Sequence, residues 1–273
     1  MSLRIATWNI NSVRIRLHLI EALVTQQAPD VICLQEIKCE TGHFPHDAFE
    51  ALGYHHRVVA GQRGYHGVAT VAKVPLERIG AEDLHGTGEA RHLAVALPIG
   101  HRRERLELHN FYVPAGGDVP DPDQNRRFRE KLAYLDALEA WSGRLPGRRR
   151  RLLVGDLNVA PLEHDVWSHK QMLSVVSHTP VEVERFARVQ AAGRWTDVMR
   201  QFVPAHEKLY SWWSYRAADW RLSNRGRRLD HVWASANLAD AAASLTVVDA
   251  ARGWERPSDH VPVIVDLDVT PSG

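Results

Sequence analysis

The chain has 273 residues and a formal net charge of +1, so charge alone marks neither a strongly basic nor a strongly acidic partner. Hydrophobic residues make up 44% and charged residues 25%, which is ordinary for a globular protein and excludes a disordered chain or a coiled coil as a description of the whole. Two cysteines, Cys33 and Cys39, are too few for a disulfide framework and lack the paired spacing of a zinc site, so we expect reduced thiols.

The sequence predicts a cytoplasmic protein with no membrane partner. No apolar run reaches the roughly 18 residues that span a bilayer, and the first residues lack a basic segment followed by an apolar one. Five of the 34 basic residues are Lys and the rest are Arg. The arginine excess fits a phosphate-bearing partner, because Arg pairs bidentately with phosphate, and it fits an arginine-favouring genome as well.

Short apolar segments alternate with helical patterns along the chain. Strands are predicted at 3–7, 30–34, 67–72, 92–97, 106–111, 152–154, 229–234 and 261–269. Helices are predicted through Ile15, Leu19 and Leu23, through Phe128, Leu132, Leu135, Leu138 and Trp141, and from Pro180 through Phe186 and Val189 with Thr179 as N-cap. The basic run from Arg148 to Arg151 is predicted to be a solvated connector. No linker divides the series, which predicts one domain over residues 1–273, with two packed sheets and outer helices.

Polar side chains stand next to the ends of these predicted strands. They are Asn9, Glu36, Tyr112, Asp156, Asn158, Asp230, Asp259 and His260. Because loops at a sheet edge bring distant residues together around a ligand, we expect this set to converge at one rim.

These residue types suit metal-assisted phosphoryl chemistry. Glu36 offers a hard oxygen for Mg²⁺. His260 can contact a phosphate oxygen while Asp230 fixes its tautomer. Asp156 can orient or deprotonate a water that Asn158 holds. Each signal is weak singly, because a carboxylate at a strand end is more often a cap or turn residue, and a buried Asn or Tyr more often a structural hydrogen-bond former.

The ordered set of motifs is far more specific than any member. The motifs are Trp-Asn-Ile-Asn, Leu-Gln-Glu, Tyr-Val-Pro, Gly-Asp-Leu-Asn-Val-Ala-Pro, Arg-Leu-Asp and Pro-Ser-Asp-His-Val-Pro. From Thr7-Trp8-Asn9 to Ser258-Asp259-His260 the chain resembles the exonuclease III family of the endonuclease/exonuclease/phosphatase superfamily. The resemblance implies an α/β fold, a DNase I-like four-layer sandwich of two mixed sheets flanked by helices. It also implies phosphodiester cleavage with Mg²⁺, or alternatively Mn²⁺, as cofactor.

The resemblance also implies roles for the metal-binding residues. Glu36 looks like the principal metal ligand, with Asn9 and Asp259 assisting. Tyr112 looks like the phenol beside the scissile phosphate. In this family the metal neutralises the charge that develops as water attacks in line.

The remaining catalytic residues are assigned by the same resemblance. Asp156 resembles the carboxylate that either activates water or protonates the leaving 3′ oxygen, with Asn158 as its partner. His260, oriented by Asp230, resembles the phosphate-binding histidine.

The DNA contacts are likewise implied by the resemblance. Ser211-Trp212-Trp213 and Asn224-Arg225-Gly226 look like the family's abasic-site pocket and DNA-facing loop. The residues predicted to contact DNA are Arg91, Trp212, Asn224, Arg225 and Arg227. The expected partner is double-stranded DNA with abasic sites or 3′ ends, bound by a monomer associated with a bacterial-type nucleoid.

Four residues depart from the family pattern around substrate recognition. Asn11 replaces an acidic residue of animal relatives, and Ser214 stands where bacterial relatives often have Asp. Arg227 replaces an apolar residue beside the DNA, and Ala115 replaces Asn or Gln. The reaction type is unaffected, but these changes bear on substrate preference.

The sequence leaves three candidate functions. The first is a DNA repair nuclease acting as abasic-site endonuclease, 3′-exonuclease or both. The second is a small-molecule or lipid phosphoesterase of the same superfamily, which Val159-Ala160-Pro161 disfavours because those enzymes commonly carry an aromatic residue and Arg there. The third is a DNA-binding protein without catalysis, which the complete set of catalytic residues disfavours.

Overall fold

The structure is a computed structural model that describes residues 2–100, 104–217 and 219–269. Its strands are β1 Leu3–Asn9, β2 Val31–Gln35, β3 His56–Ala60, β4 Val68–Ala72, β5 Glu77–Gly80, β6 His92–Ile99, β7 Glu104–Tyr112, β8 Arg150–Asp156, β9 Trp195–Asp197, β10 Trp212–Trp213, β11 Gly226–Arg227, β12 Asp230–Ser235, β13 Ala242–Val247 and β14 Val263–Leu267. Its helices are α1 Leu17–Gln27, α2 His46–Ala51, α3 Arg126–Gly143, α4 His169–Met172, α5 Pro180–Gly193, α6 Val198–Phe202, α7 Trp220–Ser223 and α8 Ala236–Ala239. Among the described residues, no helix is long and apolar enough to cross a membrane.

The strands of the described residues form two mixed six-stranded sheets and a two-stranded ribbon. Sheet 1 has the order β13-β14-β1-β2-β4-β3, sheet 2 has the order β5-β6-β7-β8-β12-β9, and β10 pairs with β11. The parallel pairs are β1 with β2 in sheet 1 and β7 with β8 in sheet 2. Asn9, Tyr112 and Asp156 end β1, β7 and β8, and Glu36 follows β2 directly.

Alternation of side chains along the strands produces four layers. Successive residues of a strand point to opposite faces, so a strand buried on both faces must pack against two partners. In β8, Leu152 and Val154 join the apolar core between the sheets, whereas Leu153 joins the core that α3 and α5 cover. In β1, Ile5 faces the inter-sheet core, and Trp8 packs in the core under α1 and α2. The predicted sandwich of two mixed sheets flanked by helices is confirmed.

Two local predictions are wrong. Ile15 lies before α1, which begins at Leu17, and is 65% exposed, so it takes no part in the helix face. The basic run is a connector in its first half alone, because Arg151 lies inside β8 and is 3% exposed. The reason is an ion pair: Glu107 lies opposite Arg151 on parallel β7, and the Glu107 carboxylate accepts a 2.6 Å hydrogen bond from Arg151 Nε.

A buried histidine pair makes the stability of this fold depend on pH. His92 Nε2 lies 3.1 Å from His109 Nδ1, and both rings pack against Trp141. Burial lowers the pKa of His109 to about 4, below the value of about 6.5 in an unfolded chain. Between these values the unfolded chain binds a proton that the folded protein does not. The free energy of unfolding therefore falls as the pH falls through this window.

We predict that His109→Leu reduces the loss of stability between pH 7.5 and pH 5. At pH 5, about 1.5 pH units below 6.5, the loss from this one group is about 2 kcal/mol. Guanidinium unfolding at the two pH values measures it, with His55→Gln as a control because the His55 side chain is 60% exposed. Equal pH dependence in His109→Leu and wild type would contradict the assignment.

Candidate active site

Strand register places three of the predicted residues side by side at one edge of sheet 2. The β7–β8 pairing aligns Tyr112 with Asp156, and the β8–β12 pairing aligns Asp230 with Asp156. In sheet 1, β1 and β2 align Asn9 with Gln35, so Glu36 is the first residue beyond that pair. The two sheets therefore present their polar strand ends to each other, as the sequence predicted.

Glu36 is held by donors from both sheets. Its Oε1 accepts hydrogen bonds from Asn9 Nδ2 at 2.9 Å and from the Tyr112 hydroxyl at 2.8 Å. Lys38 Nζ lies 2.9 Å from Oε2. Burial opposes ionisation, but the Lys38 ammonium and the donated hydrogen bonds together lower the pKa of Glu36 below its ordinary value. Glu36 is therefore a carboxylate at neutral pH.

Tyr112 is a hydrogen-bond donor rather than a phenolate. Its side chain is buried, and burial together with the Glu36 and Asp156 carboxylates raises the pKa of Tyr112 well above its ordinary value. The phenol consequently keeps its proton and can donate it to an anionic oxygen.

Asp156 is buried and surrounded by amide donors. Asn9 Nδ2 donates to its Oδ2 at 2.9 Å, and Asn158 donates through its backbone N–H at 3.0 Å and its Nδ2 at 3.1 Å. Burial, reinforced by the charge of Asp230, raises the pKa of Asp156 to about 7 against the lowering effect of His260. A carboxyl group that titrates near neutrality is suited to proton transfer.

His260 lies between two carboxylates. Its Nδ1 is 2.8 Å from Asp230 Oδ2, and its Nε2 is 3.6 Å from Asp156 Oδ2. Burial alone would lower the pKa of His260, but Asp230 and Asp156 outweigh it and raise the pKa to about 10. The ring is therefore an imidazolium at neutral pH.

The carboxylates of this site fit a divalent metal ion. Asp156, Asp230 and His260 place possible ligand atoms within 4.8 Å of one another, and Asp230 Oδ1 is buried without a hydrogen-bond partner. A protonated imidazole is no ligand, because metals bind the neutral ring. Carboxylate oxygens are the better donors, such as those of Glu36 and the unpartnered Oδ1 of Asp230, because hard oxygen is what Mg²⁺ prefers.

The two residues predicted to assist Glu36 use their oxygens in hydrogen bonds. Asp259 accepts from Asn11 Nδ2 at 3.1 Å and from Trp212 Nε1 at 3.0 Å, and it lies outside the group described above. Asn9 turns its amide nitrogen to the carboxylates, and its Oδ1 accepts the backbone N–H of Asn11 at 3.1 Å. Metal ligation by Asp259 and Asn9 stays a prediction.

A cavity of about 770 Å³ adjoins these residues. Trp167, Trp212, Arg225 and Arg227 are among the residues that line it. The backbone of Trp212 pairs with that of His260, and Trp212 Nε1 donates to Asp259 Oδ2 at 3.0 Å, so a wall of the cavity packs against the segment that carries His260. An aromatic and cationic cavity beside a carboxylate site can accept a sugar or base together with its phosphate.

Three of the predicted DNA contacts lie at this cavity. The Arg227 guanidinium stacks 4.9 Å above the Trp212 ring, and its Nη1 donates to Ser177 Oγ at 3.1 Å. Arg225 stacks 4.6 Å above Trp167. Asn224 instead uses its Oδ1 to accept the indole N–H of Trp213, which fixes the loop. Arg227 is tethered from within the protein, not displayed as a free surface cation.

Arg91 lies on the other side of the site and is 7% exposed. Its guanidinium sits 4.8 Å above the Tyr112 ring, and its Nε donates to Glu89. The structure places Arg91 where it supports Tyr112, and its contact with DNA stays a prediction.

Sequence reasoning missed Lys38 and Lys131. Lys38 follows Glu36 by two residues, both residues have positive φ angles, 48° and 51°, and the Lys38 ammonium lies 2.9 Å from Glu36 Oε2. Lys131 occupies the same face of α3 as Phe128 and Leu135, and this helical spacing was the available signal that it is buried.

The chain matches the endonuclease/exonuclease/phosphatase family over residues 6–260 and belongs to that family. The resemblance seen in the sequence is thereby confirmed. Exodeoxyribonuclease III of Haemophilus influenzae is 29% identical over 273 residues, covering 96% of this chain and 98% of the relative.

Solved structures agree with this family. An AP endonuclease from Archaeoglobus fulgidus superposes with a TM-score of 0.87 at 29% identity, covering 97% of this chain and 99% of the other. The 3′ phosphatase NExo from Neisseria, bound to a product DNA hairpin, has a TM-score of 0.84 at 29% identity with the same coverage of both chains.

Proposed function

We propose that this protein is a DNA repair nuclease, a Mg²⁺-dependent phosphodiester hydrolase that acts on duplex DNA at abasic sites and 3′ ends. The observation that carries the proposal is the backbone pairing of Trp212 with His260. Through it, one nucleotide can occupy the cavity while its phosphodiester lies against the catalytic side chains. The exodeoxyribonuclease, AP endonuclease and DNA-bound 3′ phosphatase among the similar proteins support a DNA substrate.

Glu36 would be the principal ligand of the metal ion, and the metal would supply charge neutralisation at the scissile phosphate. The His260 imidazolium is the donor that binds a phosphate oxygen, and the Tyr112 phenol, whose proton is donated to Glu36 in this structure, lies beside the same phosphate. Hydrogen bonds from such preorganised donors strengthen as negative charge develops on those oxygens. Asp230 keeps the imidazolium protonated and in place.

Asp156 transfers the proton. Its pKa of about 7 leaves both protonation states populated at neutral pH. It either takes a proton from the attacking water in its basic form or gives one to the leaving 3′ oxygen in its acidic form. Asn158 and Asn9 hold the carboxyl group by three hydrogen bonds, so it meets the reacting oxygen without reorienting.

The cavity supports recognition of an abasic sugar. A sugar without its base leaves the stack at low energetic cost and fits a pocket walled by aromatic rings. Arg225 and Arg227 add positive charge for the flanking backbone. We further propose that the protein acts as a monomer on nucleoid DNA in the cytoplasm.

A labelled duplex with one tetrahydrofuran abasic mimic, compared with a matched undamaged duplex, tests the proposal. We expect Mg²⁺ to support incision at the mimic and shortening of 3′ ends, and EDTA to abolish both. Asp156→Asn, which keeps the side-chain shape, controls for contaminating nuclease. Turnover of a small phosphodiester with both duplexes left intact would favour the phosphoesterase alternative instead.

A further inference from the structure

Behind the active site, Lys131 of α3 and Glu182 of α5 form an ion pair with no exposed side-chain surface. Lys131 Nζ lies 2.5 Å from Glu182 Oε1. Burying two charges costs several kcal/mol per ion, and apolar residues of similar volume are often at least as stabilising. Stability alone is therefore a weak reason for an ion pair at this position.

The remaining hydrogen bonds of Lys131 reach the catalytic loop. Its Nζ donates to the backbone carbonyl of Asn158 at 2.7 Å and to that of Ala115 at 3.4 Å. Asn158 has a φ of 53°, in the left-handed region that Asn adopts more readily than most residues, and the hydrogen bond from Lys131 is made to the carbonyl of this residue. The same residue supplies two of the three hydrogen bonds that hold Asp156. Lys131 thus anchors the residue that orients the proton-transferring carboxyl group.

Glu182 connects the pair to the wall of the cavity. Both of its carboxylate oxygens accept the backbone N–H of Ser177 at 3.0 Å, and Oε2 accepts the Thr179 hydroxyl at 2.6 Å. The Ser177 hydroxyl in turn accepts Nη1 of Arg227, the guanidinium stacked on Trp212. A continuous chain of contacts therefore runs from Asn158 through the ion pair to Arg227.

We propose that Lys131 and Glu182 are positioning residues that fix the catalytic loop and the cavity wall relative to each other. Neither side chain touches substrate. Each acts through another residue: Lys131 through Asn158, which holds Asp156, and Glu182 through Ser177, which accepts from Arg227. The proposal rests on the proposed nuclease function, because the pair is proposed to align the groups that carry out that reaction.

The decisive variant is Lys131→Met/Glu182→Gln. Lys131→Met alone leaves a buried unpaired carboxylate, which is strongly destabilising and compromises folding. The double variant removes both charges, and the Gln amide oxygen still accepts from Thr179. We expect a Tm close to wild type and a kcat about 30-fold lower on both duplexes, with KM changed less than about threefold, because displacement of a catalytic group by about 1 Å costs on the order of a hundredfold in rate.

Arg151→Met/Glu107→Gln is the matched control. Its partners also form a buried pair, but they lie at the opposite end of β7 and β8, so kcat should stay at the wild-type value. Adding Asn158→Ala should cost less in the Lys131→Met/Glu182→Gln background than in wild type, since residues that act through one another are not additive.

Wild-type Tm together with wild-type kcat in the Lys131→Met/Glu182→Gln variant would overturn the proposal. Bis(p-nitrophenyl) phosphate serves as a second substrate, because it reports on the catalytic loop without DNA. If the wild type cleaves this ester but neither duplex, the proposed DNA function fails, while the kcat of the double variant on the ester still decides the role of the pair.

Discussion

Glu36→Gln should lower kcat for cleavage of the abasic duplex about a thousandfold while DNA affinity changes less than about threefold. The substitution removes the charge that would hold the metal, and a thousandfold corresponds to about 4 kcal/mol of lost transition-state stabilisation. DNA affinity should persist because it depends mainly on basic residues that contact phosphates elsewhere. Cleavage rates in Mg²⁺ and fluorescence anisotropy of a labelled duplex in EDTA give the two quantities.

Arg151→Met/Glu107→Gln, which removes both members of a buried ion pair, is the control for this prediction. Glu107 is also a buried, ion-paired carboxylate, and it lies earlier on β7, whereas Tyr112 ends that strand beside Glu36. A kcat within about twofold of wild type is expected for this control, since a structural carboxylate away from the reacting atoms changes no transition-state contact. Comparable losses in both variants would mean that Glu36 matters for folding and not for the metal.

The central strands were predictable because they are buried on both faces. β2 and β4 are buried at every position, and such short, mostly apolar segments can be recognised in a sequence. The edge strands β5 and β13 were not predicted, because they are largely exposed or partly exposed and carry no clear apolar period. Their positions in the sheets depend on backbone pairing with β14 and β6, and this pairing cannot be inferred from a single sequence.

The active site was predictable to the extent that its residues follow strand ends. Tyr112, Asp156 and Asp230 meet because strand register aligns them, and register follows from which faces are buried. The hydrogen-bond partners were not predictable. The approach of Lys38 to Glu36 depends on two left-handed backbone angles, and the burial of Lys131 depends on how α3 packs with α5.

The contacts of Arg227 within the protein were likewise not predictable from the sequence. The sequence predicted that Arg227 contacts DNA, and the structure adds that Ser177 and the Trp212 ring hold its guanidinium from two sides. A long side chain has many rotamers, and the one adopted depends on partners from distant segments. The sequence thus predicted the part of the site to which Arg227 belongs, but not the side chains that it contacts.

His260→Asn and Asp230→Asn should show strongly non-additive losses. We expect kcat to fall about a thousandfold in His260→Asn and about a hundredfold in Asp230→Asn, with the double variant little below His260→Asn. The reason is the 2.8 Å contact between His260 Nδ1 and Asp230 Oδ2, through which Asp230 keeps the ring charged and oriented. Once the ring is gone, the aspartate has nothing left to orient, as expected of residues that act as one unit.

The double-mutant cycle is measured as kcat on the abasic duplex, with thermal unfolding of each variant as the check on folding. Asp266→Asn is a suitable control, because Asp266 is ion-paired with Arg4 in sheet 1 and belongs to a different set of contacts. Losses that simply multiply would show that Asp230 acts independently of His260. In that case the unpartnered Oδ1 of Asp230 would be the atom that matters, and its function would be to hold the metal ion.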